Sequence, residues 1–313
     1  MKLIPLERIS SKKTTAIAEY FEGGPAYPAI LVDAVSHWPA LRKWNLEFFS
    51  TNFRGDLGVA SLSFDRTRSG KATKLGAYID HLDKPFSSMP GLWIEDGGRF
   101  MDLPKFDEDF VWGFNWDALQ RHPSLLDDIS PYPSFIPNIV THLSADTIAA
   151  LQYICSVKFH AIYISRKNTV TPLHFDFHHT IGSLVQIQGD KTVFLFGPND
   201  YDKSGENVFN PEKPDYHRFP GMLDCLAYSA VLRPGEMIII PPNWWHYTRS
   251  HDHSITLSHN FFNDRNFSPF IRCIFEDMAR HPDKKILFQR IRGLLKSTAD
   301  AGRDQPEPTV TSD

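Results

Sequence analysis

Between Thr171 and His179 the chain reads TPLHFDFHH, three histidines and an aspartate set among aromatic residues. In an extended strand, side chains two apart share a face. That puts His174, Asp176 and His178 on one side and Phe175 and Phe177 on the other. Imidazole and carboxylate on one face suit a first-row metal ion, but two protein ligands hold such an ion weakly and a third is needed. A downstream segment, IIIPPNWWHYTRS, offers it: an apolar strand ends at two prolines and presents Trp244, Trp245 and His246. His174, Asp176 and His246 then make a two-histidine, one-carboxylate set with open coordination positions, the usual holder of non-haem Fe(II) in oxygenases. A dicarboxylate could chelate through two of those positions and dioxygen take the third. His178 is the rival ligand and is read instead as meeting substrate.

These residues need a scaffold. From Phe159 onward, short apolar runs alternate with Gly, Pro and Asn: Ala161 to Ser165, Ser183 to Gln188, Thr192 to Phe196, Glu236 to Ile240 and Ser254 to His259. They read as strands, with turns at Gly189-Asp190 and Pro234-Gly235. Many short strands at close spacing imply a sandwich or jelly-roll barrel. Earlier, Pro28 to Val35 and Gly58 to Phe64 read as strands, and Asn45 to Phe53 and Leu75 to Leu82 as helices. Phe100 to Pro137 is rich in Pro, Asp and aromatics and reads as a covering segment. With the loop Asp200 to Asp224, it is expected to shape the entrance to the site.

Near the end, SPFIRCIFEDMARH has Ser268 as N-cap and Pro269 in the first turn of a helix. KKILFQRIRGLLK reads as a second helix, with Ile286, Leu287, Ile291, Leu294 and Leu295 apolar. The pair either caps the barrel or forms a homodimer contact. The expected divisions are 1–138 (N-terminal α/β and covering segment), 139–264 (catalytic core), 265–296 (helices) and 297–313 (a disordered tail with little to bury).

At 313 residues, with 42% hydrophobic residues and a net charge of −4, the chain can bury one large core or two smaller ones. The near-neutral balance gives none of the basic field that nucleic-acid binders carry, so no nucleic-acid partner is expected. No apolar run is long enough to span a bilayer and MKLIPLERISSKK lacks a signal-peptide core, so the expected location is cytoplasmic, without membrane attachment. Cys155, Cys225 and Cys273 are scattered and lack a CxxC pair, which argues for buried thiols rather than disulfides or a thiolate zinc site.

Taken alone, an HxD is common by chance and PPNWWH reads equally well as a turn with packed aromatics. Their order gives them weight. VTPLHFD, then VQIQGDKTVFLFGPND, LRPGEMIIIPPNWWH and SITLSHNFF resemble the JmjC-type, cupin-like hydroxylases that use Fe(II) and 2-oxoglutarate. Within them the pattern is similar to that of asparaginyl hydroxylases acting on hypoxia-inducible factor. PAILVDAVSHWPALRKW upstream is similar to the N-terminal element of that group. The resemblance implies a mainly β, double-stranded β-helix core with N-terminal α/β elements and C-terminal helices.

It also implies roles: His174, Asp176 and His246 for iron, Thr171 and Lys191 for the far carboxylate of 2-oxoglutarate, and Asn260 beside its iron-bound end. Thr180 stands where the family often has asparagine. A family tyrosine near 2-oxoglutarate has two candidate counterparts, Trp93 and Tyr163. The implied activity is that of a dioxygenase using Fe(II), 2-oxoglutarate and O2, hydroxylating a polypeptide side chain and releasing succinate and carbon dioxide. The alternatives are the same chemistry on a small metabolite or natural product, and a non-oxidative metal-binding cupin with a regulatory or isomerase role.

Overall fold

Two facing sheets dominate the computed structural model of the chain, which describes residues 1–22, 26–61, 70–85, 88–94, 114–116, 118–155, 159–201 and 209–280. Ahead of residue 159 lie β1 (Lys2–Pro5), β2 (Glu7–Ile9), β3 (Ala29–Leu31), β4 (Leu57–Ser61), β5 (Gly70–Lys74), β6 (Leu92–Ile94) and β7 (Phe114–Trp116). Beyond it lie β8 (His160–Ser165), β9 (Val170–His174), β10 (Ile181–Gln188), β11 (Lys191–Phe196), β12 (Leu226–Leu232), β13 (Met237–Ile240), β14 (Trp245–Ser250) and β15 (Ser254–Phe261).

The smaller sheet runs β1-β12-β11-β14-β9, and the larger β2-β3-β13-β10-β15-β8-β7-β4-β5-β6. From β8 onward the chain passes back and forth between the sheets and leaves four strands in each. That winding is a jelly roll, the double-stranded β-helix that the sequence leads one to expect. The turn that carries the chain from β10 in the larger sheet to β11 in the smaller one is made at Gly189, with φ +74, where an added Cβ would come within 2.7 Å of the His253 carbonyl oxygen. Only glycine takes that conformation and that approach without strain.

Apolar packing occupies three layers. Val193, Leu195, Leu232, Ile238 and Ile240 fill one part of the space between the sheets. Trp38, Phe49, Phe114, Trp116, Phe262 and Phe270 belong to the large cluster that covers the outer face of the larger sheet. Phe194, Phe196, Phe209, Phe219 and Tyr247 cover the smaller one. This double covering accounts for much of the phenylalanine content.

Residues 2–9 close one side of the roll, because β1 extends the smaller sheet beside β12 while β2 lies on β3 of the larger. Leu6, between them, is buried.

Several expectations are corrected by this architecture. Leu226–Leu232 and Trp245–Ser250 are strands that were not expected: the second is mixed in polarity, and Ser229 interrupts the apolar run of the first. Phe114–Trp116, inside the expected covering segment, pairs with β8 and so extends the larger sheet rather than covering it; residues 100–113 and 117 of that segment lie outside the described residues. The C-terminal helix spans Phe267–Arg280, starting ahead of Ser268 because Asn263 and Asn266 organise its first turn. Asn266 Oδ1 accepts from the Asn263 backbone N–H at 2.7 Å. Cys225 is buried but Cys273 is only half-buried. The expected second helix and the tail lie outside the described residues.

Candidate metal centre

β9 and β14 are neighbours at the edge of the smaller sheet, and their register sets His174 directly across from His246. Their ring centroids are 4.1 Å apart. Asp176 arrives from the segment that leaves β9, and one ligand atom from each of the three residues lies within 4.8 Å of the others. His174 Nδ1 sits 2.7 Å from the Pro172 carbonyl oxygen and His246 Nδ1 3.2 Å from that of Trp244. With those Nδ1–H groups donating to backbone carbonyls, each Nε2 is left with its lone pair for a metal. Burial, reinforced by the adjacent His246 ring, pushes the His174 pKa down to about 4, so that ring is neutral at pH 7.

Asp176 has a cradle. An added Cβ on Gly182 would come within 2.5 Å of its Oδ2, so the absence of a side chain there gives the carboxylate its place. Asn260 pairs with Gly182 across β10 and β15, which puts its side chain on the same face. Its Nδ2 donates to Thr180 Oγ1 at 3.5 Å. Two imidazoles and one carboxylate, with no thiolate, fit a borderline divalent ion such as Fe(II).

The expected extended strand through His179 ends at His174. Phe177–His179 forms a 3₁₀ turn in which His178 and His179 take φ values of +58 and +53. The chain must pass here from the smaller sheet to the larger, and a straight strand cannot make that passage. His178 therefore does not share a strand face with His174.

The two tryptophans also part company. Trp244 packs with the cluster between the sheets, whereas Trp245 meets Phe175 edge-on at 4.8 Å and joins the outer cluster.

Thr171 stands across from Thr248, although His174, three residues on, stands across from His246 two residues away. The extra residue in β9 is a bulge that brings Thr171 and His174 to the same inner face. Pro172 fits there because β9 is an edge strand and the bulge needs no ladder donor from it.

Deeper in the roll, Lys191 is 5% exposed. Its Nζ donates to Thr256 Oγ1 at 2.7 Å, Thr256 donates to Gln186 Oε1 at 2.9 Å, and Gln186 Nε2 donates to the carbonyls of Gln188 and Gly189. Among the described residues no carboxylate pairs with Lys191. Burial pushes its pKa down to about 8. A buried ammonium whose neighbours are neutral is suited to an incoming anion.

Tyr163 stands across from Thr256 on β8, on the face that Thr256 presents to Lys191. Trp93 lies on β6, with β7, β4 and β5 intervening. Of the two candidates, Tyr163 is the one beside Lys191's partner.

The His160 and His259 rings lie 4.0 Å apart, tilted to one another, on the opposite face of β8 and β15, away from this group, in keeping with core histidines. Gly182, Gln186 and Thr256 escaped the sequence reading. Alternation back from Asn260 along β15 reaches Thr256, which was the available signal.

The chain matches the cupin-like domain family over residues 23–268 and belongs to it. It is 25% identical over 248 residues to Jumonji C domain-containing protein 5 of Drosophila melanogaster, covering 76% of this chain and 55% of that protein. It is 35% identical over 272 residues to lysine-specific demethylase JMJ30 of Arabidopsis thaliana, with 78% and 52% covered. Against the human bifunctional peptidase and (3S)-lysyl hydroxylase JMJD7 the identity is 24% over 282 residues, with 78% and 79% covered. The chain spans about half the length of the first two relatives and more of the third. Among the described residues, no helix is long and apolar enough to cross a membrane.

Proposed function

We propose that the protein is an Fe(II)- and 2-oxoglutarate-dependent oxygenase that hydroxylates a polypeptide side chain and releases succinate and carbon dioxide. The observation that carries this reading is the pairing, inside one roll, of the His174, Asp176 and His246 set with a buried Lys191 that has no carboxylate partner among the described residues. A metal-binding or isomerase cupin needs the first feature and has no use for the second.

In this reading His174, Asp176 and His246 hold the iron. Lys191, with Thr171 on the same inner surface, receives the far carboxylate of 2-oxoglutarate, and Asn260 orients the end nearer the metal. Bound iron and 2-oxoglutarate supply the oxidising chemistry, coupling decarboxylation of the cosubstrate to insertion of oxygen into a C–H bond. The chain's contribution is placement: imidazoles held by backbone carbonyls, a carboxylate seated over Gly182, and apolar walls that limit water.

The resemblance of the motifs to asparaginyl hydroxylases makes an asparagine side chain one target class to test. The relatives named for lysyl hydroxylation and lysine-specific demethylation make a basic side chain the alternative.

The test is anaerobic. Protein with Fe(II) is mixed with 2-oxoglutarate, watched for the weak visible charge-transfer band of the chelate, then exposed to oxygen while succinate is counted. A band and succinate that both vanish in Asp176→Ala support the proposal. Folded, iron-loaded protein that gives neither result would return the chain to the non-oxidative reading. Peptides bearing asparagine, lysine or arginine then separate the target classes by product mass.

A further inference from the structure

We propose that Asn266, at the start of the C-terminal helix, is a positioning residue for Asp176. The inference rests on the metal reading of His174, Asp176 and His246 given above. Asp176 belongs to no regular element: β9 ends at His174 and β10 begins at Ile181. Its place is set by how the chain turns between the two sheets. On one side Phe175 is pinned edge-on against Trp245. On the other, His178 and His179 both adopt left-handed backbone conformations, with φ +58 and +53. Two successive non-glycine residues in that region are disfavoured and persist only where the surroundings impose them.

The surroundings here are the C-terminal helix. Asn266 is buried, and its Nδ2 donates to the His179 carbonyl oxygen at 2.6 Å. The same side chain is fixed at its other end, because Oδ1 accepts from the backbone N–H of Asn263 at 2.7 Å. Asn263 in turn accepts on its own Oδ1 from the N–H groups of Arg265 and Asn266. Both amide groups of Asn266 are thus committed, and neither can turn without losing a bond.

Asn263 follows closely on β15, the strand that carries Asn260. A fixed path therefore leads from the end of β15 through Asn263 and Asn266 to the strained turn, and from there to Asp176. Phe270, one helical turn on, lies 6.4 Å from the His178 ring and adds packing to the same turn. Loss of the Asn266 amide frees the turn to relax towards ordinary backbone angles, and Asp176 moves with it.

The experiment is Co(II) titration of the full chain, followed by the visible d–d spectrum, in wild type, Asp176→Ala, Asn266→Ala and Asn266→Asp. The aspartate variant keeps an Oδ1 acceptor for the Asn263 N–H but has no donor for the His179 carbonyl, so it tests the contact even if alanine fails to fold. Both Asn266 variants are expected to bind Co(II) about 10- to 100-fold more weakly than wild type, with an altered band shape.

A purely structural role would lower the thermal midpoint of the metal-free protein and leave the Kd and spectrum of the folded fraction unchanged. That result overturns the inference while Asp176-dependent binding by wild type upholds the metal site. If wild type binds no Co(II), or binds it equally well after Asp176→Ala, the metal reading fails and the inference falls with it.

Discussion

Gly182 lies under the carboxylate of Asp176, so close that a single added methyl would come within 2.5 Å of Oδ2. The nearest other atom, Ile240 Cβ, would be met at an ordinary 3.5 Å. Gly182→Ala is therefore expected to disturb the carboxylate and little else. Metal affinity should fall roughly 10- to 100-fold while the circular dichroism spectrum is kept. Titration with Co(II) or Fe(II) checks it, and unchanged affinity would show that Asp176 is not held where it must bind.

Lys191 sets stability against binding. Its folded pKa, about 8, lies below its unfolded value near 10.5, so the unfolded chain binds more protons between those limits and stability rises with pH across that window. At pH 7 the buried charge costs roughly 3 kcal/mol by this shift. Lys191→Met is accordingly expected to raise the thermal midpoint of the ligand-free protein while weakening 2-oxoglutarate binding by about 100-fold or more. In wild type, 2-oxoglutarate affinity should decline as pH rises above about 8, as the ammonium loses its proton. Calorimetric titration across pH 6.5 to 9.5 measures the affinities and a thermal scan the midpoints, and a flat wild-type affinity profile would remove Lys191 from the carboxylate site.

His160 and His259 make the protein acid-sensitive. Burial pushes the His160 pKa down to about 4, and burial with the neighbouring His160 holds that of His259 well below the usual histidine value. Both groups are depressed bases, so their contribution is fully present above pH 6.5 and is lost as pH falls from there towards 4. Replacing His160 by phenylalanine, which keeps a ring against His259, should flatten the midpoint-against-pH curve over that interval. The comparison is of slopes, which leaves other titrating groups common to both proteins.

How far the site could be read beforehand depended on local pattern. The grouping of His174, Asp176 and His246 was legible because their motifs carry distinctive residue types beside strand ends, whereas Asn260 entered only through the family resemblance. Lys191 opened a strand just after a glycine turn, and its inward direction follows from the roll's closure. Gly182 was not legible, since a glycine early in an apolar strand gives no sign of what approaches it. The turn at His178 and His179 was hidden for a related reason: residues that alternate like a strand are bent by the need to change sheets. The bulge in β9 shifted the phase between Thr171 and His174 in a way that pairing alone reveals. Strand order in the larger sheet, with β7 beside β8, rests on contacts between residues far apart in sequence, and period-2 patterns carry no information about partners.

Glu212 provides a contrast with Asn266. It accepts from Tyr247 Oη at 2.8 Å and from Arg249 Nε and Nη2 at 2.6 and 2.7 Å. Although burial acts to raise its pKa, bonds from Arg249 and Tyr247 outweigh it and hold the carboxyl below the usual range. These contacts lie on the outer face of β14, behind His246 and Thr248, and tie the segment after Phe209 to that strand. β14 is also held by backbone ladders to β11 and β9 on its two sides, so its register does not depend on the clamp. Glu212→Gln should thus cost about 2 kcal/mol of stability and lower the thermal midpoint by a few degrees, while the Co(II) affinity of the folded protein stays within about twofold of wild type, a change well under 1 kcal/mol. The depressed carboxyl contributes stability that is present above its unfolded pKa and lost as pH falls through the folded one, so the gap between wild type and variant should close in acid. Thermal denaturation from pH 7 down to 3, with a Co(II) titration at pH 7, tests both halves. A large loss of metal affinity in this variant would mean that the outer face of β14 does help to aim His246.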